Sequence, residues 1–347
     1  MPRIEEVFNT KELINYFKEA TIIPMLGEAL FPERKIEDIE FDMILGRGGL
    51  PVSASVHAFD TKTMLASRQG IEKGIQSLSL IKRQIKITEK ELIKIQNPRT
   101  DAELAFVLSQ LYNDSEKMVE GVKVRVEAMR MEVLSTGKIK IEENDVKVTI
   151  DYSVPAGNQL PFNWSATTAT PLVDMETLAS AVETECGDRP TRALTSRKIM
   201  KAICANTSIK KAIFGTNSDK LVTLALLNDL LLQSELPALL VYEGKYKVEV
   251  AKDDTNPTGF KTVRYFPENV ISMFGDSTLG ETIYGLTAEE VKLIGDGKME
   301  EASMVGNVFV GTYTSIDPVG EFTKAAATAM PSFPHAEELG IATITLV

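Results

Sequence analysis

One stretch limits the fold more than any other. Pro98 precedes Thr100-Asp101-Ala102-Glu103, a capping box with Thr at the cap and Glu three residues on. Apolar residues then recur at Leu104, Leu108, Leu111, Met118, Val119, Val122, Val126, Met129 and Val133, in steps mostly of three and four. That is the helical period. Thr136-Gly137-Lys138 supplies the glycine stop. The pattern predicts one helix of roughly 35 residues, about 50 Å long at 1.5 Å per residue. The spacing resembles a heptad, so a coiled coil is one alternative. Ser115 interrupts the seam and favours a helix lying along a sheet.

After the helix, 138–153 alternates through Ile139, Ile141, Val146, Val148, Ile150 and Tyr152, which predicts a β-hairpin turning at Glu142-Glu143-Asn144-Asp145. Residues 155–170 read as loop. A mixed α/β region follows. Helices are expected at 171–185, with Asp174 as a candidate cap, within 196–214, broken near Asn206, and at 219–234. Strands are expected at 191–195, 238–242, 246–251, 262–265 and 270–274. A short helix opens at Thr287-Ala288-Glu289-Glu290, and strands at 308–314 and 341–346 close the chain.

Ahead of the helix the chain has another character. Residues 1–42 hold five bases against ten acids, net −5, and residues 62–94 hold eight bases against three acids, net +5. These are either solvated faces or surfaces that complement partners, copies of the same chain among them. Residues 1–20 look amphipathic around Leu13, Ile14 and Phe17, but Pro24 and Pro32 prevent a long helix. Residues 21–40 read as an extended arm with little core of its own, anchored on a neighbouring subunit. Residues 41–95 form a long excursion punctuated by Gly46-Arg47-Gly48-Gly49, Pro51, Gly70 and Gly74. Within it, 53–59 and 78–87 alternate enough for two strands. A ribbon of two strands needs outside contacts, because an isolated hairpin is barely stable in water.

Composition removes most chemistry. Two His and two Cys leave no room for a His/Cys metal cluster, and Cys186 and Cys204 read as reduced thiols. A net charge of 38 − 49 = −11 argues against a dedicated nucleic-acid binder. The N-terminus has no apolar targeting segment, and the longest apolar run, 236–242, is broken by Pro237, so a soluble chain of a cytoplasm is expected. Phe274-Gly275-Asp276-Ser277 matches the nucleophile block of GDS-type esterases. That chemistry needs a His base held by an acid. The sole downstream His is His335, and Ser332 stands where the acid belongs. Gly46-Arg47-Gly48-Gly49 lacks the Lys and hydroxyl of a P-loop and the third glycine of a dinucleotide fingerprint, so it reads as a turning loop. Asp253-Asp254 and Glu289-Glu290 are pairs that chance supplies in a chain with 49 acids. His57 reads as a loop or interface residue.

The order of parts carries more than any motif. An acidic arm leads to a basic excursion, a long capped helix, a hairpin, a mixed α/β region and a returning strand. Particular stretches sharpen the likeness: Glu40-Phe41-Asp42, Arg125-Val126-Glu127-Ala128-Met129, Leu134-Ser135-Thr136-Gly137-Lys138, Val148-Thr149-Ile150-Asp151-Tyr152, Trp164 before Pro171-Leu172-Val173-Asp174, Tyr313 to Pro318, and Ala329-Met330-Pro331. In these the chain resembles the lambda-type phage major capsid protein E family over nearly its whole length. The resemblance implies an α+β chain with the HK-97-type (Hong Kong 97) capsid fold: an N-terminal arm (1–37), an extended β-hairpin loop (38–97), a peripheral domain with a long spine helix (98–167), a mixed α/β axial domain (168–310) and a return to the peripheral domain (311–347).

The implied function is that of a tailed-phage major capsid protein, a virion component assembled in the host cytoplasm. Copies would form hexamers and pentamers of an icosahedral shell around double-stranded DNA. Scaffolding, portal and decoration proteins are the further partners; no membrane, cofactor, metal or catalytic residue is implied. Candidate inter-subunit contacts are Lys82, Arg83, Lys86 and Lys90, with the turning Gly46, Gly48 and Gly49. The rivals are a GDS-type serine hydrolase using Ser277 and a tail-tube or other virion protein.

Overall fold

The computed structural model describes residues 25–45, 72–87, 89, 92, 100–144, 146–166, 168–215, 220–253, 256–276, 278–294, 304–317 and 319–346. The expected strand at 53–59 and the amphipathic segment at 1–20 lie outside them.

The described chain begins with a short helix α1 (Leu26–Leu30) and strands β1 (Glu33–Lys35), β2 (Glu40–Leu45), β3 (Glu72–Ser77) and β4 (Ser79–Ile87). The capping-box helix is α2 (Asp101–Thr136), 36 residues long. At 1.5 Å per residue that is about 54 Å. Ser115, which interrupts the apolar run, is itself buried. Gly137 ends the helix at φ +68°, its N–H donating to the Val133 carbonyl at 2.8 Å. A Cβ there would lie 2.6 Å from Val154 Cγ2, so both the backbone angle and the neighbour demand glycine.

The hairpin is β5 (Lys138–Glu143) with β6 (Val146–Asp151), turning through Asn144 at φ 49°. Next come β7 (Gln159–Asn163), inside the stretch expected to be loop, and α3 (Pro171–Cys186). Pro171 occupies the first helical position, where its missing N–H costs nothing. Asp174 does not cap α3, contrary to expectation. Its carboxylate instead accepts Trp164 Nε1–H at 2.7 Å. β8 (Arg192–Thr195), α4 (Arg197–Ala205), α5 (Thr207–Phe214) and α6 (Leu224–Gln233) follow. The break at Asn206 has a local cause: this residue ends α4, and its Oδ1 caps α5 by accepting Ser208 N–H at 2.8 Å. The remaining strands are β9 (Ala238–Val241), β10 (Lys245–Glu249), β11 (Phe260–Arg264), β12 (Val270–Phe274), β13 (Glu281–Gly285), β14 (Met304–Val305), β15 (Val308–Ile316), β16 (Val319–Ser332) and β17 (Gly340–Thr345).

The chain divides into two units, one from 1–41, 75–127 and 281–332, the other from 42–74, 128–280 and 333–347. In the first unit β16 is the axis of a six-stranded sheet. Thr323 pairs with both Ile85 and Thr312, so β4 and β15 take opposite edges of β16. Thr328 pairs with both Leu80 and Gly285, so β13 also lies opposite β4, end to end with β15. The strand expected at 78–87 therefore is a strand, but it belongs to this sheet. Ala325 is opposite Arg83, and alternation points Ala325, Ala327 and Ala329 to Arg83's side. Arg83 lies over Gly121 of α2: a Cβ on that glycine would meet Nη1 at 2.5 Å. The three alanines are fully buried on this helix-facing side. Small side chains let a helix approach a sheet closely.

The second unit holds a five-stranded sheet in the order β7-β17-β12-β8-β9. Its centre, β12, is buried at all five positions. Ile271 and Met273 join Met175, Leu178, Ile199, Ile203, Ile209, Leu227 and Leu231 of the four helices in one core. Ser272 points the other way and donates to the Leu134 carbonyl at 2.5 Å, in the last turn of α2. The sheet is thus covered on both faces. Its edges are blunted by two different devices. β7 carries Pro161, which has no N–H to offer. On β9, Asn228 of α6 accepts Leu239 N–H at 3.0 Å and donates to the Leu239 carbonyl at 3.4 Å, imitating a neighbouring strand.

Candidate assembly surfaces

The bases singled out in the sequence sit on β4. Lys82 Nζ lies 3.2 Å from Glu289 Oε1, and Lys324 of β16 reaches the same oxygen. Glu289 is only 8% exposed. Burial pushes its carboxyl up, but hydrogen bonds from Lys324 and Lys82 outweigh that and hold it below the usual carboxylate range. The next residue, Glu290, closes a reciprocal capping box with Thr287 and pairs with Lys35 of β1. Two adjacent acids thereby tie β1, β4 and β16 together. Lys86 Nζ stands 5.6 Å from the centroid of Phe322, which stacks on Tyr313 at 5.0 Å. Lys82, Arg83 and Lys86 thus all engage their own chain. Lys90, Gly46, Gly48, Gly49 and His57 lie outside the described residues.

The arm is also anchored at home over its described part. Gly27 N–H donates to Glu127 Oε1 at 2.9 Å, and Glu127 is fully buried in α2. Thr282 donates to the carbonyls of Phe31 and Pro32, at 3.0 and 2.8 Å. Glu33 accepts from Tyr284 at 3.1 Å and from Asn307 at 2.8 Å. Leu30 and Phe31 are buried. The adjacent Leu30-Phe31 pair was the available signal of this docking.

What remains uncovered is apolar at specific places. At the turn joining β15 to β16, Ile316 is 89% exposed and Val319 is half exposed, with Tyr313 close behind. In the second unit Leu221 is 82% exposed, and Val173, Leu232 and Leu240 are also uncovered. Turn tips are usually polar, so clustered apolar residues there are candidates for contact.

The hydrolase constellation does not assemble among the described residues. Ser277 lies outside them. Before it, the Gly275 carbonyl accepts Arg192 Nε and Nη2, at 2.9 and 2.7 Å, which is a structural role. His335 Nδ1 sits 3.0 Å from Glu338 three residues on. No group of three His, Cys, Asp or Glu among the described residues is arranged to hold a metal, and no described helix is long and apolar enough to cross a membrane.

The family model of phage major capsid protein E matches residues 9–344. The chain belongs to that family. A capsid protein E chain is a shell-forming structural protein and a component of the virion, and the family is non-enzymatic. The fold agrees. A protein described as a prophage capsid protein of Escherichia coli CFT073 superposes with a TM-score of 0.63 at 15% identity, over 97% of this chain and 99% of that one. A phage-related protein of Bordetella bronchiseptica RB50 gives 0.54 at 12% identity, over 95% of each chain. Comparison with the curated proteins gives no match. The family places α2 as the spine helix of an HK-97-type capsid fold, and the hydrolase alternative is not favoured.

Proposed function

We propose that this capsid protein closes its shell through hexamers and pentamers built around the second unit. The β15–β16 tip joins neighbouring rings. The observation carrying this reading is the apolar tip itself, with Ile316 89% exposed beside the half-exposed Val319. Such side chains at a turn need a partner surface. Each ring uses heterologous contacts, one patch meeting a different patch.

Portal and scaffolding proteins, and a decoration protein, complete the particle, which assembles in the host cytoplasm around double-stranded DNA. The net charge of −11 fits a wall that does not adsorb its cargo. The basic stretch around Lys82, Arg83, Lys86 and Lys90, with the Gly46, Gly48 and Gly49 loop, contributes charge along the borders between subunits. The test is expression of the full chain followed by electron microscopy. Icosahedral shells are expected. Rings or tubes would favour the tail-tube alternative, and a monodisperse monomer would overturn both.

A further inference from the structure

The second unit is electrically lopsided. Helices α4 and α5, residues 197–214, carry Arg197, Lys198, Lys201, Lys210 and Lys211 and not one acid, net +5 in a chain of net −11. Arg197, Lys198, Lys201 and Lys211 are exposed. Lys198, Lys201, Lys210 and Lys211 have no ion pair among the described residues. The C-terminal end of α3 has the opposite character. Glu183, Glu185 and Asp188 are exposed there, Arg189 is bonded to Glu183, Glu176 and the Glu235 carbonyl, and the Cys186 thiol is pushed up first by burial and then by the nearby Glu338 and Asp188. Counting Glu183, Glu185, Asp188, Glu235, Glu337 and Glu338 against Arg189 gives net −5.

Part of each cluster runs against the helix dipole that carries it, although Glu243 Oε1 accepts Arg197 N–H at 2.7 Å at the start of α4 and Lys211 sits favourably in the last turn of α5. Arg197 and Lys198 open α4, whose first turn has no acid. Glu183 and Glu185 sit in the last turns of α3, where there is no base. A helix prefers the reverse at each end, so these placements weaken the helices they sit on. They also sharpen two fields of opposite sign.

The acidic end of α3 lies away from the α4–α5 junction in the same copy. Asn206, at the junction of α4 and α5, donates to the Ala169 carbonyl at 3.1 Å, just ahead of α3. The basic junction therefore lies at the N-terminal end of α3 and the acids at the other end. Sixteen residues at 1.5 Å per residue make α3 about 24 Å long, which sets the Asn206 junction that far from the acids. That is about three Debye lengths at physiological ionic strength.

Resting on the shell reading above, we infer that the basic face of α4 and α5 on one copy docks against the acidic end of α3 on the next copy. The occupant is a second copy of this chain because the complementary charge is on the same unit. Because the two faces differ and lie at opposite ends of α3, the contact is head to tail. Heterologous contacts of this kind close into rings. Charge of this sort sets register and association rate and disfavours the reversed orientation.

Charge reversal in the full chain tests this. Lys198→Glu with Lys201→Glu, and separately Glu185→Lys with Asp188→Lys, should each cut particle yield at least about tenfold, because like charges then meet across the ring. The chain carrying all four changes should regain particles. Electron microscopy and sedimentation read the yield, and thermal melting confirms that each chain is folded. Should a reversed chain fail to melt cooperatively, Lys198→Gln with Lys201→Gln replaces it, and must lower the yield and flatten its salt dependence. Wild-type yield from the basic-reversed chain overturns the inference, as does loss in both folded pairs without regain in the fourfold variant. Shells that form normally from the basic-reversed chain but no longer retain nucleic acid overturn it in favour of a polyanion contact. A wild-type chain that forms no particles overturns the shell reading itself, so the two failures are distinguishable.

Discussion

Asn228 stands in for a missing strand, and replacing it with Leu shows what that substitution is worth. Its side-chain amide makes two bonds to one residue of β9: it accepts Leu239 N–H at 3.0 Å and donates to the Leu239 carbonyl at 3.4 Å. Leu239 is buried, so water does not replace these partners freely. A buried backbone group left without a partner costs about 1–3 kcal/mol. The N–H bond is well formed and takes the full figure. The bond to the carbonyl is long, and the carbonyl adds about 1 kcal/mol at most. Asn228→Leu should therefore destabilise by roughly 1–4 kcal/mol, since Leu keeps the γ-branched shape, though not the size, without supplying either partner. For a unit of this size that is a fall in midpoint of roughly 2–16 °C.

The assay is thermal and urea unfolding of dilute, unassembled chain, followed through the tertiary signal. Asn228→Asp is the control. It keeps the acceptor for Leu239 N–H but faces the carbonyl with another oxygen, so it should fall between wild type and Leu. Opening the β9 edge should also raise the tendency to associate through strands. A Leu variant that unfolds at the wild-type midpoint would refute the reasoning. So would an Asp variant no more stable than Leu, because the N–H bond would then contribute nothing.

Gly137→Ala should destabilise by about 1–3 kcal/mol, through its positive φ and the contact with Val154. Adding Val154→Ala should recover only part of that loss in a melt, because the φ penalty remains. Glu243 is held at about 2, first by the Arg264 guanidinium and also by Arg197 N–H, against the opposing effect of burial. A carboxyl whose folded value is depressed adds stability that is complete above its unfolded value, 4.5, and is lost as pH falls toward about 2. Across that window Glu243→Gln should show a flatter fall in unfolding midpoint than wild type; parallel curves would count against the pairing. Ile316→Asp with Val319→Asp should leave the melting temperature unchanged, since both side chains are exposed, and abolish shells in electron micrographs. Intact shells would remove the β15–β16 tip from the contact surface.

The helix α2 was legible because three independent signals agreed: a capping box, a sustained helical period and a glycine stop. The hairpin of β5 and β6 and the strand β12 were legible for similar reasons, since β-branched residues alternate or run together there. The longest strand was missed. β16 reads Phe322-Thr323-Lys324-Ala325-Ala326-Ala327-Thr328-Ala329-Met330-Pro331, and alanine and proline both argue against a strand. The alanines are fully buried in the sheet, and burial by tertiary packing is something propensity does not register. Pro331 is tolerated beyond the last β4 pair, at Ala329. β1 and β13 were missed for a related reason: each is short and defined by its partner rather than by its own pattern. The candidate surface was half legible. The bases of β4 stood out by charge, but whether Lys82 meets Glu289 or a neighbour depends on a contact with 207 − 1 = 206 residues between them, which spacing cannot reveal.

The state of the sheet edges narrows how copies of this chain can meet. In the second unit, one edge strand has a proline and the other has its middle residue occupied by Asn228, so strand addition is obstructed on both sides. In the first unit β1 and β14 are three and two residues long, too short to template a partner. β4 is longer, but Lys82, Arg83 and Lys86 charge it, the usual protection of an edge. At these edges association runs through side chains rather than backbone ladders. Backbone ladders have nearly the same chemistry at every residue and tolerate slips of register. Apolar tips and opposed charge clusters do not. A shell requires the same contact to form many times with a fixed curvature, and an interface made of particular side chains can specify that where an open strand edge cannot.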